Sequence, residues 1–208
     1  MIVSGNELLA AAHKAAVGAG LPTGIAEDVS QATVWLCRHE VDGVQAALAG
    51  LANADDASAR LVPGNAIAFA DARAAMHGPS ALDLLVAGAA PDGVMLHDLD
   101  SPRLLVGLAG VAAGLHHMGF VFRDDRGAAC TVSGEHLAGE FALDPTRVHV
   151  RIAAPQDPTP EGEQASKGQI VVDETMWTRL NEYAARTYVA ATEQSRVSGA
   201  GAGLTDND

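Results

Sequence analysis

Apolar positions in the first quarter of the chain recur at helical intervals. Leu8, Leu9, Ala12, Ala15 and Ala16 share one face, and Ser4 followed by Glu7 forms a capping box ahead of them. Gly18, Gly20 and Pro22 close this segment. Ile25, Val29, Ala32 and Leu36 make a second stripe, with Glu27, Asp28 and Gln31 facing away. Asp42 is placed to cap a third helix carrying Val44, Ala47, Leu48 and Leu51. Residues 1–54 therefore read as a helical layer.

From residue 65 to 154 the pattern shortens. Leu82–Val86, Val94–Leu96, Phe120–Phe122, Cys130–Val132 and Val148–Ile152 are brief apolar or alternating runs. Turn residues bound them: Gly78-Pro79, Pro91-Asp92-Gly93, Asp124-Asp125-Arg126-Gly127, Ser133-Gly134 and Asp144-Pro145. Val148, Val150 and Ile152 alternate with His149 and Arg151, which marks a strand with one buried face. Ala66–Ala70 suits a strand or a short helix, and Leu104–Leu115 is ambiguous between the two. Close strand signals with few helices between them suggest a mainly antiparallel sheet. Residues 155–168 contain three prolines and several acids and read as an exposed loop. Asp173 caps a last helix with Met176, Trp177, Leu180, Tyr183, Ala184 and Thr187 inward, and a glycine-rich tail completes residues 173–208. The fold class is α+β in a single domain.

Composition narrows the function. The 13 Lys and Arg against 26 Asp and Glu give a net charge of −13. That balance opposes a nucleic-acid partner and an anionic membrane surface. Hydrophobic residues make up 48% and aromatic residues only 4%, so alanine-rich helix packing is expected rather than a large aromatic pocket. No secretory leader is read at Met1–Glu7, and Cys37 and Cys130 lie far apart without a C-x-x-C spacing. A soluble cytoplasmic protein with reduced core thiols is the expectation.

Two stretches are distinctive together: Val3-Ser4-x-x-Glu7 with Ala16–Asp28, and Arg186–Arg196 followed by Gly199–Asp208. On these residues the chain resembles a bacterial family known as domain of unknown function 3726. One departure is Ala190, where the resemblance leads one to expect proline. The resemblance implies a free-standing bacterial protein whose glycine-rich tail belongs to the fold. It supplies no catalytic residues.

The candidate chemistry comes from the residues themselves. His97-Asp98-Leu99-Asp100-Ser101-Pro102-Arg103 follows a strand signal. His97 suits a general base, with Asp98 or Asp100 orienting it and Arg103 binding an anion; an acidic turn ending in Ser-Pro explains the same residues. In the tail, Ser195, Arg196, Gly199, Gly201 and Gly203 suit an anion-binding nest. Asp206, Asn207 and Asp208 suit a hard cation, and a frayed terminus suits the whole segment. His116-His117, read on a strand, point to opposite faces and lack a metal-ligand spacing, so no metal is assigned. Gly107–Gly114 lacks the G-x-G-x-x-G spacing and a complete βαβ unit is not evident around it, so its glycines are read as close packing. Ser133-Gly134-Glu135-His136 is read as a turn and Cys130 as core. Two functions stay open. One is an enzyme or binder for a small anionic metabolite, with cofactor unknown. The other is a non-catalytic, homo-oligomeric or accessory subunit that packs through its helices and tail.

Overall fold

The computed structural model describes residues 1–54, 60–61, 67–140, 148–158, 162–166 and 168–188. The architecture is α+β. Three helices open the chain: α1 (Gly5–Gly18), α2 (Thr23–Arg38) and α3 (Gly43–Leu51). Their starts are set by the expected residues. Ser4 Oγ accepts from Glu7 N–H and the Glu7 carboxylate accepts from Ser4 N–H, closing the capping box. Asp42 accepts from Gln45 N–H at the head of α3. Val29, Ala32, Leu36, Val44, Ala47, Leu48 and Leu51 are buried. A final helix, α6 (Glu174–Ala185), capped by Asp173, packs Leu180 and Ala184 inward.

A mixed eight-stranded sheet forms the other layer. In spatial order it runs β2 (Arg60–Leu61), β3 (Ile67–Ala70), β4 (Val94–Leu99), β8 (Val148–Ile152), β5 (Gly119–Asp124), β6 (Ala129–Ser133), β7 (His136–Glu140) and β9 (Glu163–Gln164). Among the described residues only β3 and β4 pair in parallel. Two further strands, β1 (Ile2–Val3) and β10 (Ile170–Val171), pair with each other. The helix α4 (Ala74–Val86) bridges β3 and β4, and α5 (Pro102–His116) follows β4. Leu96, Phe120, Phe122, Cys130, Val132, Val150 and Ile152 turn toward these helices and are buried.

Four local expectations change. Leu82–Val86 is the second half of α4, not a strand, and Gly78-Pro79 lies inside that helix rather than in a turn. Ala75, Gly78, Leu82 and Leu85 are buried at intervals of 3, 4 and 3, a helical stripe that outweighs the proline signal. The β3–α4–β4 segment is a complete βαβ unit, standing just before the Gly107–Gly114 run, and that run is helical. His116 and His117 terminate α5 instead of lying on a strand; His117 takes the left-handed cap conformation, and both are exposed. In the described part of 155–168, β9 extends the sheet edge, Gln156 bridges Gly119, and Ser166 N–H donates to the Arg38 carbonyl. Among the described residues no helix is long and apolar enough to cross a membrane.

Candidate functional site

The carboxyl ends of adjacent parallel strands are where a βαβ unit opens a crevice to a ligand. Here those ends are the loops Asp71–Arg73, after β3, and Asp100–Ser101, after β4. They are laced together. Ala72 N–H donates to the His97 carbonyl at 2.9 Å, and Asp100 N–H donates to the Ala72 carbonyl at 3.3 Å. Asp100 Oδ1 accepts from Ala74 N–H at 2.8 Å and so caps α4 from a distant part of the chain, since Arg73 at that helix's own cap position does not. Ser101 Oγ donates to the Ala46 carbonyl, fixing the second loop to α3. Arg73 N–H donates to His77 Nδ1, which leaves the His77 proton on Nε2.

Strand β4 is irregular where the chemistry sits. Leu96 pairs with Val150 and Leu99 with Val148, so β4 holds one more residue than β8 between those pairs. The extra residue is absorbed at a bulge, with Asp98 at φ +51°. Left-handed backbone on a non-glycine residue is uncommon and gathers at functional positions. The bulge brings His97 against His149 of β8, with Nδ1 atoms 3.2 Å apart and ring centroids 5.1 Å apart at 70°. Asp98 N–H also points to His149 Nδ1, at 3.4 Å. These contacts assign the tautomers. With His149 Nδ1 accepting from Asp98 N–H, its proton resides on Nε2, and His97 Nδ1 is then the donor of the pair, which puts the His97 lone pair on Nε2. The pair thus presents one acceptor nitrogen and one donor nitrogen.

Asp100 has a different place. It is buried, its Oδ2 has no hydrogen-bond partner among the described residues, and burial raises its carboxyl above the ordinary range, against the lowering effects of Ala74 N–H and the Arg73 charge. Its observed partner is the head of α4, whereas that of His97 is His149. Arg103 lies on α5 and donates to Gln45 Oε1 at 3.4 Å, toward α3. His97 and the Asp98 backbone N–H therefore both meet His149, and Arg103 turns to another partner. Ser195, Arg196, Gly199, Gly201 and Gly203 lie outside the described residues.

His149 is the residue that the sequence reading passed over. Its signal was the β8 alternation, which puts it on the outward face; its partner depends on register. Other chemistry-bearing groups are quiet. A cavity of about 390 Å³ is lined by Cys37, Glu40, Asp42, Ser166 and Asp173. Two of its carboxylates, Asp42 and Asp173, are occupied as helix caps. Burial pushes the Cys37 thiol up to about 11 and the Cys130 thiol up to about 12, so neither forms a thiolate readily at neutral pH. Among the described residues no group of three or more His, Cys, Asp and Glu is placed to hold a metal.

Known proteins offer a family likeness over the first part of the chain and no activity. Residues 3–102 match the family model described as "Protein of unknown function (DUF3726)". The tail residues that share the resemblance lie beyond the match. No curated protein matches the chain. Among solved structures the chain is similar to malate dehydrogenase from Entamoeba histolytica, at 10% identity and a TM-score of 0.48 over 70% of this chain and 50% of that one. It is likewise similar to malate dehydrogenase from Pyrococcus horikoshii OT3, at 14% identity and 0.48 over 74% and 50%. The chain spans half the length of those two proteins.

Proposed function

We propose that this protein binds a small anionic metabolite beside the carboxyl ends of β3 and β4, and that His97 accepts a proton from it. The observation that carries this reading is the His97–His149 pair on the β4 bulge. A bulge re-aims one side chain, and here it sets His97 Nδ1 on a fixed partner and leaves Nε2 for a ligand. His149 Nε2–H supplies a donor next to that acceptor. Asp98 acts through its backbone, since its amide helps hold the His149 tautomer. Asp100 is a positioning residue: it caps α4 and joins the two loops beneath the site. Fixed geometry of this kind serves binding and proton transfer alike.

The test is a thermal-shift screen of small carboxylates, phosphate esters and amines against wild type and His97→Gln. Glutamine keeps a polar side chain but cannot take up the proton. The expected result is at least one anionic compound that stabilises wild type, with a pH-dependent effect that His97→Gln loses. A variant that follows wild type for every compound at every pH removes the reading.

A further inference from the structure

Alternation divides the central strands into two faces. Phe122, Cys130, Val150 and Ile152 are buried against the helices, so Arg123, His149 and Arg151 stand on the opposite, open face. Register then sets Arg123 of β5 directly across from Arg151 of β8, with Met95 of β4 on the other flank of Arg151. Residues opposed in this way have Cβ atoms roughly 4.5–5.5 Å apart, and like charges there repel. Neither guanidinium has an acidic partner among the described residues. Among the described residues Arg123, which is exposed, makes no side-chain hydrogen bond, and Arg151 donates to the Asp92 carbonyl alone, at 2.9 Å. A chain with 13 basic and 26 acidic residues places two of its few cations side by side, with no acidic partner for either among the described residues.

The histidine pair lies on the same face. His149 is two residues along β8 from Arg151, about 7 Å at strand rise. The acids nearby sit mainly at the histidine end: Asp98 on the bulge, and Asp125, whose N–H donates to the His149 carbonyl. At the arginine end Asp92 meets Arg151 through its backbone carbonyl, and Glu140 of β7 stands two strands from Arg123 in the same cross-strand row.

We infer that Arg123 and Arg151 are the anion-recognition element of the site, and that its ligand is a small oxyanion with two negative charges. Each guanidinium offers parallel N–H donors that match the edge of a carboxylate or phosphate group. Two such forks side by side favour a dianion over a monoanion, because the ligand then also relieves their mutual repulsion. Phosphate monoesters and dicarboxylates share this chemistry. The inference rests on the proposed reading of the histidine pair and adds the substrate class to it.

Isothermal titration of the full chain with inorganic phosphate and with malonate, against sodium chloride at matched ionic strength, tests this directly. Wild type is compared with Arg123→Gln, Arg151→Gln and Arg179→Gln, the last removing an exposed charge on α6. Saturable uptake of one of the two dianions is expected, and the preferred one tells phosphate from carboxylate chemistry. Each sheet variant should weaken it about tenfold or more, and Arg179→Gln should not. Thermal midpoints of the sheet variants in anion-free buffer should match or exceed wild type, which separates lost binding from lost folding. The inference is overturned if wild type binds neither dianion beyond the chloride control, or if the sheet variants bind as well as wild type. It is also overturned if light scattering shows a dimer that the arginine replacements dissolve, since the face is then an interface between copies. Arginine-dependent binding alongside an unchanged His97→Gln screen would sink the proton-acceptor reading and leave the arginine assignment standing.

Discussion

At the scale of single residues, the site depends on which atom each polar group meets. His97 and Asp98 were visible in the sequence because they follow an apolar run and open a polar one. That His97 would meet His149, 52 positions away, was not, because strand register is a tertiary property. Asp100 shows the same limit: beside His97 in sequence, it is used beneath α4. Its raised carboxyl has a measurable consequence. The unfolded chain releases this proton near the ordinary value of 3.8, while the folded chain holds it to higher pH. The folded state therefore binds more protons in between, and the group's contribution to stability is fully present below 3.8 and lost as pH rises through the folded value. Asp100→Asn keeps an acceptor for Ala74 N–H and has nothing to ionise. Urea midpoints between about pH 3 and pH 7 should show wild type losing ground to the variant as pH rises. A difference that stays constant with pH would contradict the assignment.

At the scale of elements, helix packing was more legible than strand identity. The capping residues Ser4, Asp42 and Asp173 each start the helix expected of them. The glycines of Leu104–Leu115 were read as close packing, and two of them are. A Cβ on Gly107 would stand 2.8 Å from the Ala32 carbonyl and 2.8 Å from Leu36 Cγ, and one on Gly110 would enter the Trp35 ring. These two positions let α5 lie close along α2. Gly114, exposed on the same helix, has open space around its Cβ position. Gly107→Ala should therefore destabilise by about 1–3 kcal/mol through overpacking, although alanine is the better helix former. Gly114→Ala should stabilise by up to about 1 kcal/mol. Chemical denaturation of both variants checks the pair, and equal effects would show that α2 and α5 are not in such close contact. The strand expected at Leu82–Val86 failed because Gly78-Pro79 was read as a turn, whereas tertiary burial of one face carries the helix through that proline.

At the scale of the molecule, the described residues form a sheet with one face covered by helices and no helix on the other. The acidic balance of the chain describes its average, and the open face departs from that average. Arg123, Arg151, His149 and His97 come from three strands that occupy neighbouring places in the sheet but distant places in the sequence. Alternation in the sequence put His149 and Arg151 on an outward face. The meeting of all four required the β4–β8–β5 order, which no local pattern encodes. The candidate anion contacts that the sequence offered, Arg103 and Arg196, had the right chemistry; Arg103 turns to Gln45, and Arg196 lies outside the described residues. The open face also gives the second reading, an accessory subunit, a definite place to be tested. The most direct measurement for the account as a whole is a nuclear magnetic resonance titration of the labelled chain with the dianion preferred in calorimetry, following arginine and histidine side-chain signals. Saturable shifts are expected at Arg123, Arg151, His97 and His149, with His97 protonated on Nδ1 and His149 on Nε2 before ligand is added. Shifts centred on Arg103 and the start of α3, with the sheet residues unmoved, would contradict it.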